Sequence, residues 1–295
     1  MEIAAYASSH LRGFLFYGAS PAGKCAAETL VIYGRKTTMS KVQVWAHRGA
    51  SAYAPENTMV AFEKAVEMHA DGVETDVHLT LDGELVISHD ETLERVSNGH
   101  GKIPDKTLKE HKELDFSYGR EGFKNVRMLT MREFLDFMKD NDLFMDIEMK
   151  YSGTRWDETN EKMAAMAKEF NVEDRILYSS FRPQPLLKLQ KMTKSGVGFL
   201  YEYQENLMDV GKAVLADGSL WEFTGKHGFD AIHPDYTYVY NPDMTKYCKD
   251  KGILINPWTI DKEDVMKACY EVGVNAVITN KPDLALKVRR EVLGY

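Results

Sequence analysis

The chain has 295 residues, a formal net charge of −8, and 44% apolar and 28% charged residues. This is the composition of a folded chain with ample core, which excludes a disordered one. The acidic balance argues against nonspecific nucleic-acid binding, which needs a basic footprint, but a local field can still favour an anionic substrate.

Residues 1–38 are rich in Ala, Ser, Gly and Tyr and show no sustained helical or strand period. They read as an N-terminal extension, a disordered tail or a misassigned start, ahead of a domain over 39–295. Gly13–Tyr17 is too short for a signal-peptide core. Ser20-Pro-Ala-Gly-Lys24 lacks the first glycine and the spacing of a phosphate loop. No apolar run approaches the ~20 residues that span a bilayer. Cys25, Cys248 and Cys269 form neither a disulfide framework nor a zinc motif, so a reducing, cytoplasmic setting is expected. No oligomeric state is legible.

From Lys41 onward short β-branched runs alternate with helical patterns. Val42–Ala46 reads as a strand. Thr58–His69 reads as a helix capped by Asn57 or Thr58, with Val60, Ala61, Ala65 and Met68 at helical spacing. Gly72–Val77 and Leu85–Ser88 are strands. Residues 90–126 interrupt the rhythm with Lys, Glu, His and Gly and read as an insertion on the barrel face. Helix Met131–Lys139, capped by Thr130, leads to strand Leu143–Glu148. Helix Glu158–Phe170, with Asp157 as its expected cap, leads to strand Ile176–Ser179. Then come helix Pro185–Met192, strands Val197–Leu200 and Ala231–His233, helix Pro242–Lys251 and strand Ile253–Asn256. Helix Asp261–Val272, which Asp261 is expected to cap, strand Ala276–Thr279 and helix Asp283–Val292 complete the series. About eight such units imply a parallel (β/α)8 TIM barrel. A doubly wound open sheet is the alternative, but the turn after the first strand is HRGASAYAPEN, not GxGxxG.

A barrel carries its chemistry where strands end. His47 and Arg48 end the first strand. Glu74 and Asp76, two apart in the second, share its lumenal face, where an unpaired carboxylate is expensive. Glu148 and Lys150 repeat the spacing, with Asp146 one step deeper. His89 and Asp90 end the run LVIS. Three carboxylates, Glu74, Asp76 and Glu148, suit a hard divalent cation with open positions left over. With Arg48 and Lys150 added, such a site keeps one net positive charge and attracts a phosphodiester monoanion. His47 and His89 suit base and acid, since imidazole titrates near working pH. Singly, each residue has a bland reading, as a bonded structural histidine, a rim ion pair or a helix entry; the shared strand-end position favours a site. Trp258 is as much a packing residue as a pocket wall, and Arg182 as much a solvated loop residue as a substrate contact. His233 reads as structural, and His69, His78, His100, His111 and His227 carry no comparable pattern.

HRGASAYAPENT, DGVETDVHLTLDGELVISHDETLERVSNGHG, DIEMK, SSF, NPWTID and GVNAVITNKPD together resemble the glycerophosphodiester phosphodiesterase family, over about Val42 to Val288. The resemblance implies a TIM barrel with a small insertion after the second βα step. It implies hydrolysis of glycerophosphodiesters, such as glycerophosphocholine or glycerophosphoethanolamine, to sn-glycerol 3-phosphate and an alcohol. His47 and His89 match the family's acid/base pair, Glu74, Asp76 and Glu148 its metal ligands for Mg2+ or Ca2+, and Arg48 and Lys150 its positions near the phosphate. Arg182 stands where relatives often carry Asn before a His, and Asn280 where many carry Asp. Both departures are expected to lie clear of the metal–histidine set. The rivals are a lysophospholipase D-type activity, for which Phe116, Tyr118 and Phe123 would supply an apolar rim, and a barrel that binds a phosphorylated ligand without turnover.

Overall fold

The computed structural model describes residues 41–117, 119–202 and 219–295, together with the backbone of 30–32 and 35–37. The Ser20–Lys24 fragment, Cys25, Tyr118 and most of the N-terminal extension lie outside them. Leu30–Ile32 and Arg35–Thr37 pair antiparallel in a two-stranded sheet of their own.

The main sheet contains β1 (Gln43–His47), β2 (Gly72–Leu79), β3 (Leu85–Ile87), β4 (Phe144–Met149), β5 (Ile176–Ser180), β6 (Gly196–Tyr201), β7 (Ala231–Pro234), β8 (Leu254–Ile255) and β9 (Ala276–Thr279). Eight of these run parallel in the order β8-β7-β6-β5-β4-β2-β1-β9, and β3 folds back antiparallel on β2. Asn275 closes the ring: its N–H donates to Ile255 O at 2.8 Å and its Oδ1 accepts from Ile255 N at 2.9 Å. The result is a nearly closed (β/α)8 barrel. Its helices are α1 (Met59–Glu67), α2 (Leu108–Lys112), α3 (Met131–Met138), α4 (Trp156–Glu169), α5 (Pro183–Leu189), α6 (Leu220–Lys226), α7 (Pro242–Lys251), α8 (Glu263–Val272) and α9 (Pro282–Leu293).

Alternate strand residues face outward and inward. The outward set packs under the helices, where Phe62 of α1 meets Phe134 of α3 with ring centroids 4.8 Å apart. The inward set closes the barrel floor with Trp45, Leu177, Ala231, Leu254, Ala276 and Ile278, Trp45 stacking on Phe144. Above this floor the lumen turns polar. His233 is fully buried there, and a Cβ at Gly198 would stand 2.5 Å from its Nε2. Glycine on β6 is what leaves room for the imidazole.

Thr58 and Thr130 cap α1 and α3 as expected, Thr130 in a capping box with Glu133. The other two expected caps are used elsewhere. Arg155 occupies the N-cap of α4, with Asp157 inside its first turn and paired to Lys188 at 2.7 Å. Lys262 precedes α8, because the Asp261 carboxylate accepts from Thr279 Oγ1, Asn280 N and Asn280 Nδ2 at the end of β9. The insertion opens between β3 and α3, ahead of the second unit's helix. It has its own small core of Val86, Leu93, Ile103, Phe116 and Met128.

Candidate active site

Strand register assembles the site. On the lumenal side His47 of β1 lies opposite Glu74 of β2, and Glu74 opposite Asp146 of β4. One level higher Asp76 pairs with Glu148, and Glu148 with Ser179. Two rows of polar side chains therefore lie across neighbouring strands just above the apolar floor.

The turn after β1 bends through two consecutive left-handed residues, Arg48 (φ 56) and Gly49 (φ 77). Arg48 is held there by its N–H, which reaches Glu74 O at 2.9 Å and Glu74 Oε2 at 3.0 Å. A Cβ on Gly49 would lie 2.6 Å from the Ala61 backbone of α1, so the turn needs glycine for its conformation and for its packing. Asn57 also has a positive φ. Its Nδ2 donates to Asp76 Oδ2 at 2.7 Å and its Oδ1 accepts from Thr75 Oγ1. Within PENT, Thr58 caps the helix and Asn57 orients a carboxylate.

The two histidines are anchored alike. His47 Nδ1 lies 2.7 Å from Asn280 Oδ1, whose amide group in turn donates to Asp261 at 2.6 Å. His89 Nδ1 lies 2.6 Å from Asp90 Oδ1. An oxygen facing each Nδ1 selects the Nδ1–H tautomer and leaves Nε2 as the working atom. His47 Nε2 stands 3.8 Å from Glu74 Oε2. Burial and the adjacent Arg48 lower the His47 pKa to about 4, and burial lowers that of His89. The expectation that Asn280 stands clear of the histidines is thus corrected: the carbonyl end of its amide touches His47. His78 contributes as well, bridging Ser152 Oγ at 2.6 Å and the carbonyl of His89 at 3.1 Å.

Charge is concentrated in the upper row. Lys150 Nζ stands 2.9 Å from Asp76 Oδ1 and 2.7 Å from Glu148 Oε1, and Arg48 Nε stands 3.6 Å from Asp76 Oδ2. Burial alone would raise Asp76, yet Lys150 and Arg48 hold it well below the usual carboxylate range. Burial and the nearby Asp76 push Glu74 well up and Glu148 up to about 7. Two buried carboxylates that resist ionisation beside a third that is ionised form a donor set short of positive charge. Asp76, Glu148 and His89 each offer a ligand atom within 4.8 Å of the others. This donor set fits a hard cation. Glu74 belongs to the same acidic cluster but stands outside that closest group, its carboxylate turned to the Arg48 N–H.

These residues open into a cavity of about 510 Å³. His47, Arg48, Glu74, His89, Glu148 and Lys150 line it, and so do both weaker candidates, Trp258 and Arg182. Trp258 packs edge-on against Phe181, its indole N–H donating to His233 O, while the Arg182 guanidinium lies 5.5 Å over the Trp156 ring. His233, fully buried, faces Asp146 at 3.1 Å. Sequence reasoning missed Glu202, Met149 and Leu200 as wall residues. Leu200 and Glu202 share the lumenal parity of Gly198 along and just past β6, which was the only available signal for them, whereas Met149 has the opposite parity to Glu148 and gave none.

The glycerophosphoryl diester phosphodiesterase family model matches residues 47–284. The chain is 35% identical over 254 residues to a glycerophosphodiester phosphodiesterase of Caldanaerobacter subterraneus subsp. tengcongensis, covering 85% of this chain and 99% of that protein. The crystal structure of a glycerophosphodiester phosphodiesterase from Thermotoga maritima aligns with a TM-score of 0.67 at 28% identity, covering 84% and 98% of the two chains. An Oleispira antarctica phosphodiesterase, solved in complex with the product sn-glycerol-3-phosphate, aligns with a TM-score of 0.73 at 24% identity over 84% and 97%.

Proposed function

The chain belongs to the glycerophosphodiester phosphodiesterase family and is an enzyme of that class, and from this premise we propose that it hydrolyses small glycerophosphodiesters, such as glycerophosphocholine and glycerophosphoethanolamine, to sn-glycerol 3-phosphate and the free alcohol. The observation that carries the proposal is the pairing of two tautomer-held imidazoles with a row of buried carboxylates and two cations around one cavity. The Oleispira antarctica structure, with sn-glycerol-3-phosphate bound in a similar barrel, agrees with the proposed product.

Asp76 and Glu148 would hold one Mg2+ or Ca2+ with Glu74 as the third carboxylate; His89 offers a ligand atom within 4.8 Å of those of Asp76 and Glu148. When bound, the cation would polarise the phosphoryl group and offset its developing charge. The chain's own residues would do the rest. Arg48 and Lys150 lie where they can hold the non-bridging phosphate oxygens and stabilise the charge that grows on them. One histidine, through Nε2, takes the proton of the attacking oxygen. The other, which must enter the step as the imidazolium, gives its Nε2 proton to the leaving alkoxide and is left as the neutral Nδ1–H ring. With water as attacker, one P–O bond forms, one breaks, and the two protons balance. With the glycerol 2-hydroxyl as attacker, a cyclic phosphate forms first and water opens it. The His47–Asn280 and His89–Asp90 contacts keep the rings aimed throughout. The scarcity of cysteines supports a cytoplasmic site of action, and among the described residues no helix is long and apolar enough to cross a membrane.

One observation favours a second substrate. Met149, Phe181, Leu200 and Trp258 give the cavity an apolar wall that an acyl chain could use. Phe116, an expected rim residue, is instead buried in the insertion core, which weakens that reading. Parallel assays on glycerophosphocholine and lysophosphatidylcholine test the choice. The diesterase reading requires glycerophosphocholine to have the higher kcat/KM; a reversed preference overturns it in favour of the lysophospholipid.

A further inference from the structure

Arg95 lies on the insertion and does not line the cavity, yet its guanidinium connects two arms of the site. Its Nε and Nη2 donate to Asp90 Oδ2 and Oδ1 at 2.6 and 3.0 Å. Its Nη1 and Nη2 donate to Glu56 Oε2 and Oε1 at 2.7 and 2.8 Å. Each carboxylate then holds a residue of the site. Asp90 Oδ1 faces His89 Nδ1 at 2.6 Å, and Glu56 Oε1 accepts from Arg48 Nη1 at 2.9 Å. One planar cation thus sets two carboxylates in a common frame, and the two carboxylates hold an imidazole and a phosphate-facing guanidinium.

Two bidentate forks fix direction as well as distance, which a lysine ammonium cannot do. The Arg95 side chain is 47% exposed. A single ion pair so exposed adds little to stability, whereas a doubly bidentate network adds more, so the test reads melting temperature separately from activity. We propose that Arg95 is a positioning residue, which fixes the His89 imidazole relative to the Arg48 guanidinium through Asp90 and Glu56. The proposal rests on the phosphodiesterase reading of the site. The Asp90 arm acts on proton transfer and so on kcat. The Glu56 arm acts through Arg48 on phosphate binding and on the charge that grows in the transition state, and so on KM as well as kcat.

The test compares Arg95→Met, Arg95→Lys, Asp90→Asn and Glu56→Gln with the wild type in the full chain. Three quantities are read: melting temperature, kcat and KM for glycerophosphocholine, and the His89 ring-nitrogen shifts by NMR. Arg95→Met should stay folded at the assay temperature and lose about 10- to 100-fold in kcat/KM, the usual cost of removing a group that orients a working histidine. Arg95→Lys should be nearly as impaired, because charge without the fork does not position. Asp90→Asn should lower mainly kcat, and Glu56→Gln should raise KM as well as lower kcat. Adding Arg95→Met to Asp90→Asn should cost less than the two separate losses combined, as coupled sites do. The His89 spectrum should lose its single Nδ1–H tautomer in Arg95→Met. Wild-type kinetics in Arg95→Met with an unchanged His89 spectrum overturns the proposal, and so does full activity in Arg95→Lys. If Arg95→Met does not fold, the lysine variant decides. If the wild type turns over no diester, the phosphodiesterase reading fails by itself. The His89 spectrum then still decides Arg95: a lost tautomer upholds the positioning role and an unchanged one refutes it.

Discussion

His47 and His89 have the same kind of anchor with different charge behind it, a neutral amide for one and a carboxylate for the other. Replacing Asn280 with Asp, together with Asp261→Asn so that the two carboxylates do not face each other, places a negative charge beside the His47 Nδ1–H and favours the imidazolium. The limb of the pH–rate profile that His47 governs should move up by about one pH unit or more; an unmoved limb would show that His47 does not set it. His47→Ala should abolish turnover while leaving sn-glycerol 3-phosphate affinity within a few-fold by calorimetry, and a fully active alanine variant would remove His47 from the mechanism. Glu148 tests the electrostatics. Its folded-state pKa, raised to about 7 by burial and by Asp76, exceeds the ordinary value of 4.5. Its contribution to stability is therefore complete below about pH 4.5 and is lost as pH rises through 7. In metal-free protein, Glu148→Gln should gain melting temperature relative to the wild type across that interval and then level off. A difference that stays constant with pH would contradict the assignment.

At the scale of elements, the strands were legible because they are short apolar runs ending in charge. All nine strands expected from the sequence lie within one or two residues of their observed bounds. α6 was missed: seven residues with an internal Gly225 are too short for a periodic signal, and only the Ser219–Glu222 capping box announced it. Asp157 and Asp261 looked like caps because a cap is judged from local sequence, whereas their carboxylates answer partners 31 and about 18 residues away. The turn after β1 makes an element-scale prediction. Gly49→Ala forces a side chain into a left-handed residue and against α1. It should cost on the order of 1–3 kcal/mol from backbone strain alone, read as a lowered urea midpoint with an unchanged m-value. An unchanged midpoint would mean that the turn relaxes away from α1 freely.

For the whole molecule, ring closure turns separate strand-end residues into one site. The sequence order of His47, Glu74, Asp76, His89, Glu148 and Lys150 was readable, and strand parity pointed their side chains into a common lumen. The contacts that tune them were not. Asn280 reaches His47 across 233 positions and Arg95 reaches Glu56 across 39. Nothing local marks either contact, because each exists only once β9 has closed on β1 or the insertion has folded over the rim. The same closure gathers three carboxylates around a space where side-chain cations compensate them only in part. The most direct measurement of the account is release of sn-glycerol 3-phosphate from glycerophosphocholine by purified protein, first in EDTA and then with Mg2+ or Ca2+ restored. The account expects product to fall away in EDTA and return with one of the two metals. Undiminished turnover by metal-stripped protein would contradict the carboxylate-held cation, and no product with either metal from folded protein would contradict the diesterase itself.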